Sequence, residues 1–264
     1  MRRPVIALLT DFGLTDHYVA AMKGVVLGIC PDVALLDITH DIAPQDVLGA
    51  ALELEAVAPY LPAGSVVLGV VDPGVGSSRR GVVIEARGVR FVGPDNGLFS
   101  LAIGRDELMA AVEITNRAFT LGSISRTFEG RDRFAPVAAW AALGTAIDAF
   151  GPAVTDPVSL AMPPTTVTSR GIEGVVLRVD RFGNVITNIR RDEIAAIGEA
   201  PTVAVADARI DTLSTTYAAA APGALCALIG STDRLEISIY GGNAAASLGV
   251  TRGSRVHVWR CSGA

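Results

Sequence analysis

A loop of small residues between an aspartate and an arginine is the chemically most informative feature of the chain. An apolar run from Ser65 to Val71 ends at Asp72, and Pro-Gly-Val-Gly-Ser-Ser then leads to Arg79. Asp72 follows a predicted buried strand, at the edge where open α/β sheets place their ligands. The glycines and serines let backbone N–H groups approach a ligand closely. The loop could therefore turn Asp72 and Arg79 toward each other across something small and polar, or it could be a tight turn with a surface ion pair.

A second candidate lies directly after the first predicted strand. The sequence Thr10-Asp11-Phe12-Gly13 ends that strand, and Asp16 follows three residues later. A carboxylate at such a position can accept hydrogen bonds from both hydroxyls of a ribose. The alternative for Asp16 is that it, or the preceding threonine, caps the helix that follows.

A third polar cluster, residues 125–132, precedes an apolar helix and contains Glu129. Such a cluster is typical of a capped helix start and a solvated run of charges, and for Arg126 and Arg133 we expect that structural role. A functional role is the competing interpretation, because the cluster is dense in polar groups.

Two further segments lie in the C-terminal part of the chain. The spacing Asp180-x-x-Gly-Asn184 is an ordinary hairpin signal. The amide of Asn184 can both donate and accept, so it could also pair with the edge of a base. Residues 241–245, Gly-Gly-Asn-Ala-Ala, form a flexible loop of the kind that lets backbone approach a flat ring.

The elements that must position these groups divide the chain in two. Apolar patterns predict the alternation strand 4–9, helix 18–29, strand 33–38, helix 45–60 and strand 65–71, which indicates a mostly parallel sheet with helices on both faces. A hairpin and a helix over 134–143 follow, and six short strands then fill the remainder. We therefore predict an α/β fold with three parts: an N-terminal, mostly parallel α/β sandwich domain (1–160), a linker (161–170) and a smaller C-terminal β-barrel-like domain (171–264).

Composition excludes several classes of function. The net charge is −5 and no basic block occurs, which disfavours nucleic-acid binding. No apolar run reaches the roughly 18 residues of a membrane span, and Met-Arg-Arg-Pro before a short apolar run does not match a signal peptide. The three cysteines, Cys30, Cys226 and Cys261, are scattered and odd in number, which favours reduced thiols in the cytoplasm. No CxxC pair occurs among them, and we expect no metal site.

Other catalytic signatures are missing from the sequence. His17, His40 and His257 are isolated, and we expect each to be structural or exposed. There is no Gly-x-Ser-x-Gly elbow, no Walker loop and no Gly-x-Gly-x-x-Gly after a strand.

Seven short motifs, taken in order, carry a resemblance that none of them carries alone. They are Thr10-Asp11-Phe12-Gly13 with Asp16, Met22-Lys23-Gly24, Val71-Asp72-Pro73-Gly74-Val75-Gly76, Pro94-Asp95-Asn96-Gly97-Leu98, Thr127-Phe128-x-Gly130-Arg131-Asp132-x-Phe134-Ala135-Pro136, Asp180-x-Phe182-Gly183-Asn184 with Thr187-Asn188, and Gly242-Asn243-Ala244-Ala245. Together they resemble the S-adenosylmethionine hydroxide adenosyltransferase family. These are adenosine-forming S-adenosylmethionine hydrolases, related to fluorinases and chlorinases, and the resemblance runs from residue 5 to about residue 250.

The resemblance implies a substrate, a reaction and an assembly. The substrate is S-adenosyl-L-methionine, water or hydroxide attacks C5′ of the ribose, and adenosine and L-methionine are the products without any cofactor. The family further implies a homotrimer whose substrate lies between the N-terminal domain of one subunit and the C-terminal domain of the next.

The same resemblance implies roles for polar residues that match the family by position. Asp11 would hold the ribose hydroxyls. Asp180 and Ser231 would face the methionine part of the substrate, with Asp16 nearby.

The adenine would be recognised by an amide and by backbone. Asn184 and the backbone from Asn243 to Ala245 would read its edge. Phe128, Phe182 and Tyr217 would form the apolar and stacking walls.

The nucleophile site of the hydrolases is implied to carry an aspartate, an arginine and a histidine. Asp72 and Arg79 match the first two, but Glu129 stands where the family commonly has His in Thr-Phe-His-Gly-Arg-Asp. Glu129 could share a proton with Asp72, pair with Arg79 or point away; two close carboxylates would raise the pKa of one of them. We take Asp72, Arg79 and Glu129 as the candidate catalytic residues.

The chemistry of the substrate agrees with these roles of the binding and catalytic residues. A sulfonium leaves as a neutral thioether, so the reaction needs no general acid. It needs in-line placement of the nucleophile and, because water is a poor nucleophile, a base or an orienting network. Halogenases have an aromatic residue where Asp72 stands. A carboxylate there repels halide and favours hydrolysis, while a halogenase and a non-catalytic nucleoside-binding protein that lost turnover through Glu129 remain the alternatives.

Overall fold

The computed structural model describes residues 3–104, 108–168, 170–198 and 201–260. Cys261, named above, lies outside these ranges, whereas Cys30 and Cys226 are buried free thiols. The contacts between residues divide the chain into two units, 1–160 and 161–264, which are described separately below.

The first unit is built on a six-stranded, mostly parallel sheet. Its strands are β1 (Val5–Thr10), β2 (Ala34–Thr39), β3 (Val66–Val70), β4 (Gly81–Ala86), β5 (Val89–Pro94) and β6 (Leu108–Glu113), in the spatial order β2-β1-β3-β5-β4-β6. The pairs β1–β2, β1–β3 and β3–β5 are parallel, and β4 is antiparallel to both of its neighbours. The predicted mostly parallel α/β domain is therefore confirmed.

Helices cover both faces of this sheet, as its alternating side chains require. The helices are α1 (Tyr18–Ile29), α2 (Val47–Val57), α3 (Ser100–Ile103) and α4 (Ala135–Ala142). In β1, Ile6 and Leu8 pack into the core formed with α1 and α4, while Ala7 and Leu9 pack into the core with α2 and α3. This two-residue alternation makes the sheet the middle layer of a sandwich.

Three features of the first unit were not predicted from the sequence. The apolar patterns of β6 and of the four-residue α3 are too short to be distinguished from those of a loop. A π-helical turn, Gly130–Phe134, precedes α4. π-Helical turns are rare, and a large share of them are found at functional sites. This one overlaps the third polar cluster.

The second unit is an antiparallel β domain. Its strands are β7 (Thr166–Thr168), β8 (Gly171–Val179), β9 (Val185–Arg190), β10 (Pro201–Val205), β11 (Ala208–Ile210), β12 (Leu225–Ile229), β13 (Arg234–Ile239) and β14 (Arg255–Arg260), with β7 on β8 and the others in the order β11-β10-β14-β8-β9-β13-β12. Leu213, just beyond β11, bridges to Ala227 in β12 and nearly closes the sheet. The barrel-like C-terminal domain is confirmed.

Short helices and a strand add detail to this unit. α5 (Arg191–Ile197) and α6 (Ala244–Leu248) were not predicted, because neither is long enough to show helical periodicity. β7 lies within the segment 161–170 that was expected to be a linker. Among the residues placed by the structure, no helix combines the length and the apolar character needed to cross a membrane.

Candidate active site

Asp72 and Arg79 face each other at the C-terminal edge of the parallel strands. The guanidinium Nε lies 2.9 Å from Asp72 Oδ1 and 3.0 Å from Oδ2, and Nη2 donates a further hydrogen bond to Oδ2. The two side chains are only 5% and 11% exposed. The loop thus makes a buried, charge-assisted pair, and the alternative of a surface ion pair is wrong.

The loop between them is held by its own small residues. Ser77 Oγ donates to the carbonyl of Gly74 at 2.6 Å, and the Gly74 N–H donates to Asp72 Oδ1 at 3.2 Å. Gly76 has φ +76°, and a Cβ there would lie 2.4 Å from the carbonyl oxygen of Arg126. Only glycine fits that position, which explains the second glycine of Pro-Gly-Val-Gly.

Glu129 pairs with Arg79, which is one of the three arrangements its sequence left open. Glu129 Oε2 accepts from Arg79 Nη2 at 2.8 Å and from Arg133 Nη1 at 3.3 Å. Asp72, Arg79, Glu129 and Arg133 therefore form a row of alternating charges, called the charge row below. Arg133 also donates to the carbonyl of Ile114 at 2.5 Å, so its expected role as a solvated or capping residue was wrong.

The charge row keeps Arg79 protonated. Burial by itself lowers the pKa of this guanidinium, but the hydrogen bonds and negative charges of Asp72 and Glu129 more than compensate, and the pKa lies above its ordinary value. The guanidinium also stands over the ring of Phe134, 5.2 Å from the centroid. Arg79 is thus a permanent cation in a fixed position.

A cavity of about 330 Å³ in the first unit, called the first cavity, brings candidate residues together. Asp11, Asp72, Phe128 and Glu129 all contribute to its lining. Phe128 belongs to an aromatic cluster, and its ring meets that of Tyr18 edge-on with centroids 5.1 Å apart. The first cavity therefore combines carboxylates with an aromatic wall, a composition suited to a nucleoside.

The two acidic residues after β1 have different surroundings. Asp11 Oδ2 accepts the backbone N–H of Gln45 at 2.8 Å, and Gln45 has the unusual φ of +66°. Asp16 is exposed and lies outside the lining of the first cavity. His17 rather than Asp16 occupies the N-cap position of α1, so the capping alternative for Asp16 was wrong.

His40 supports the segment that carries Asp11. Its Nδ1 lies 2.9 Å from Thr10 Oγ1, its Nε2 lies 3.1 Å from Asp37 Oδ1, and its carbonyl accepts from the N–H of Gly13. Burial tends to raise the pKa of Asp37, but hydrogen bonds from Lys23 and His40 bring it below the ordinary value. The histidine is buried and structural, in line with the sequence.

A larger cavity of about 660 Å³ in the second unit, called the second cavity, collects the C-terminal candidates. Those in its lining are Asp180, Phe182, Asn184, Tyr217 and Ser231. Asp180 Oδ2 accepts from Asn184 Nδ2 at 2.9 Å, and Oδ1 accepts the Asn184 N–H at 2.8 Å. The turn between β8 and β9 is thus both a hairpin and part of a cavity wall.

Sequence reasoning missed two charged residues of the second cavity, Arg178 and Glu236. Glu236 is buried and accepts from the Tyr217 hydroxyl at 2.6 Å. Burial and this hydrogen bond to a carboxylate hold the pKa of Tyr217 well above its ordinary value. Burial lowers the pKa of Arg178, against the charges of Asp180 and Glu236. Glu236 could have been found from the sequence, because it is a single acidic residue within the apolar run of β13.

Asn243 and Ala245 make hydrogen bonds to other residues of the second unit. Asn243 Oδ1 accepts the N–H of Ala246 at 2.8 Å and caps α6. The Ala245 N–H donates to the carbonyl of Gly183 at 3.0 Å, which ties α6 to the Asp180–Asn184 turn. The second cavity is lined at this point by Gly241 and Gly242.

Metal-ligating groups do not cluster in the described part of the chain. Within it, no group of three or more histidine, cysteine, aspartate or glutamate side chains could hold an ion.

Comparison with known proteins identifies the family. The SAM hydroxide adenosyltransferase N-terminal domain matches residues 6–151, and the C-terminal domain of the same family matches residues 174–257. The chain therefore belongs to the SAM hydroxide adenosyltransferase family.

Individual relatives agree with this assignment. The chain is 40% identical to the (R)-S-adenosyl-L-methionine hydrolase of Salinispora tropica, over 97% of each chain. It is 41% identical to the one from Thermus thermophilus, over 97% of this chain and 99% of the relative. A fluorinase from Actinoplanes sp. is 30% identical over 74% of each. The crystal structure of an uncharacterized conserved protein from Thermotoga maritima superposes with a TM-score of 0.90 at 33% identity, over 97% of this chain and 100% of the other.

Proposed function

We propose that this protein hydrolyses S-adenosyl-L-methionine to adenosine and L-methionine. The observation that carries the proposal is that Asp72, paired with Arg79, lines the first cavity together with Asp11. The relatives named as hydrolases match over nearly the whole chain, which supports the same reaction class here.

In the proposed step, Asp72 accepts a proton from a water molecule that attacks C5′. The new bond joins the water oxygen to C5′, the C5′–S bond breaks, and its electron pair remains on sulfur as a neutral thioether. Three donors already reach the carboxylate: Arg79 Nε, Arg79 Nη2 and the Gly74 N–H. The Asp72 carboxylate also lines the first cavity, where the attacking water would stand.

The other candidate residues take supporting roles in this proposal. Asp11 has one carboxylate oxygen bonded to Gln45, which leaves the other for ribose hydroxyls. Glu129 is bonded to two guanidinium groups, and we infer that it positions Arg79 and does not act as the base. Residues of the second cavity, above all Asp180 and Asn184, are proposed to bind the remaining parts of the substrate.

The test is incubation of purified protein with S-adenosyl-L-methionine in ¹⁸O-labelled water. The expected products are L-methionine and adenosine with the label in its 5′-hydroxyl. Asp72→Asn should lower kcat by about 10²- to 10⁴-fold, the range for loss of a general base. The exposed Asp148 serves as a matched control, and Asp148→Asn should leave kcat unchanged.

Three results would overturn the proposal. Formation of methylthioadenosine only, or no turnover, excludes the hydrolase; calorimetric binding of adenosine without turnover would indicate a nucleoside-binding protein. A 5′-halogenated adenosine on addition of chloride or fluoride would indicate a halogenase.

We also propose a cytoplasmic homotrimer with active sites between subunits, on the strength of the family resemblance. Light scattering of the purified protein measures the mass of the assembly. A monomeric mass would contradict the trimer.

A further inference from the structure

The turn after β5 lies beside the loop that carries Asp72 and Arg79. β3 and β5 are parallel neighbours, with Val66 opposite Arg90 and Leu68 opposite Val92. Their C-terminal ends therefore reach the same edge of the sheet. The turn contains Asp95 and Asn96, which belong to a sequence motif that the proposed reaction leaves without a role.

Asn96 holds the chain immediately before Asp72. Its Nδ2 donates to the carbonyl of Val71 at 2.8 Å, while its Oδ1 accepts the N–H of Leu98 at 3.2 Å. The second bond shapes the turn itself, as asparagine commonly does. The first bond links the turn to the residue that precedes the carboxylate.

Asp95 holds the chain immediately after Arg79. Its N–H donates to the carbonyl of Arg80 at 3.0 Å, and its Oδ2 accepts from Arg80 Nε at 2.8 Å. Its Oδ1 accepts the N–H of Val158 at 2.8 Å, and the carboxylate is only 2% exposed. The anchor at this end is therefore a buried carboxylate with all of its strong interactions directed at backbone and a guanidinium.

We propose that the Asp95–Asn96 turn is a clamp that holds both ends of the loop 72–79 and thereby sets the pairing of Asp72 with Arg79. The inference rests on the proposed hydrolase function. The turn lies outside the lining of the first cavity, so Asp95 and Asn96 are positioning residues. The effect on rate is large because a misplacement of about 1 Å at a reacting group can cost about 100-fold.

The chain offers a matched control for Asn96. Asn116 Nδ2 donates to the distant carbonyl of Ala149 at 2.9 Å, and its Oδ1 accepts the N–H two residues ahead at 3.0 Å. Both asparagines thus make the same pair of bonds, but Asn116 is bonded to a different loop. A loss of stability that comes only from removing two such hydrogen bonds should appear in the variants of both asparagines.

The experiment compares Asn96→Ala and Asn96→Ser with Asn116→Ala. Serine keeps a side-chain oxygen that can accept a hydrogen bond within the turn, but it is too short to reach Val71. The serine variant therefore tests the clamp even if the alanine variant does not fold. Both Asn96 variants should lower kcat roughly 10- to 100-fold and leave KM within about threefold, because they misplace the base without touching substrate. Asn116→Ala should change neither constant. Equal kcat values for Asn96 and Asn116 variants would overturn the clamp.

Amide hydrogen exchange provides a measurement that does not depend on turnover. Both Asn96 variants should speed exchange across residues 72–80, where Asn116→Ala should not. If the wild-type protein makes no adenosine, the proposed function fails, and the exchange data alone decide the clamp. Unchanged exchange at 72–80 in the Asn96 variants would refute it.

Discussion

Glu129→Gln is the perturbation that most directly tests the charge row. Glutamine has nearly the same shape as glutamate, so the substitution removes one charge and leaves the packing in place. In the native row, two carboxylates and two guanidinium groups balance. In the variant, the single carboxylate left in the row is that of Asp72, which is bonded to Arg79.

The size of the effect follows from burial. The Glu129 side chain is 12% exposed and accepts from both arginines. Removing one partner of a buried ion pair costs about 3–5 kcal/mol. Arg79 keeps its bonds to Asp72, and Arg133 keeps its bond to a backbone carbonyl. We therefore expect a loss of about 3 kcal/mol in the free energy of unfolding, at the lower end of that range.

A second glutamate in the same unit provides the matched control. Glu85 pairs with Arg90 at 3.0 Å, but these side chains are 29% and 23% exposed. Solvent-screened pairs of this kind contribute about 0–1 kcal/mol. Glu85→Gln should therefore cost less than about 1 kcal/mol.

The assay is urea denaturation followed by circular dichroism, with both variants and the wild type in the same buffer at pH 7. We expect the urea concentration at the unfolding midpoint to be clearly lower for Glu129→Gln than for Glu85→Gln, with a similar dependence of the unfolding free energy on urea. Equal costs for the two substitutions would refute it, since burial would then make no difference to the value of the pair.

Four further outcomes are expected. Glu129→His introduces the histidine that the family resemblance implies at this position: a large gain in kcat would identify an enzyme weakened by the glutamate, and an unchanged kcat would identify an alternative arrangement that works. Burial tends to raise the pKa of Asp132, but hydrogen bonds from the adjacent guanidinium and a backbone N–H bring it below 3.8. Its contribution is present above that pH and lost as the pH falls further, so the unfolding free energies of Asp132→Asn and wild type should differ constantly between pH 5 and 8 and converge below about pH 4. Gln45→Gly should raise the free energy of unfolding by up to about 1 kcal/mol, because it removes a side chain from a left-handed conformation; a lower melting temperature would contradict this. Tyr217→Phe should keep adenosine affinity within about twofold by calorimetry if only the ring contacts the nucleoside, whereas a loss of tenfold or more would show that its hydroxyl, bonded to Glu236, is required.

The local elements were largely predictable because their signals are local. The helix 18–29 and the strands 225–229 and 255–260 have the bounds that apolar spacing and turn residues predict. The position of Asp72 at the end of a buried strand also followed from sequence, since parallel sheets place ligands at that edge. Short helices such as α6 were missed because five residues do not establish a period.

The contacts that define the site were decided by tertiary structure. Arg79 and Glu129 are 50 positions apart, yet their side chains meet at 2.8 Å. Arg133 was expected to be a solvated or capping residue and Glu236 had no role in the sequence, because their partners Ile114 and Tyr217 lie 19 positions away in the chain. The link from Asn96 to Val71 likewise depends on the pairing of two parallel strands.

The sequence by itself determined the two-part α/β and β architecture, the family and the residue types available for chemistry. Periodicity, turn chemistry and ordered motifs carry that information along the chain. Only the tertiary structure decided which carboxylate meets which guanidinium and what holds the loop between them. Hydrogen bonds and ion pairs require atoms within about 3 Å, and that proximity arises from how strands and loops pack, which local sequence does not encode.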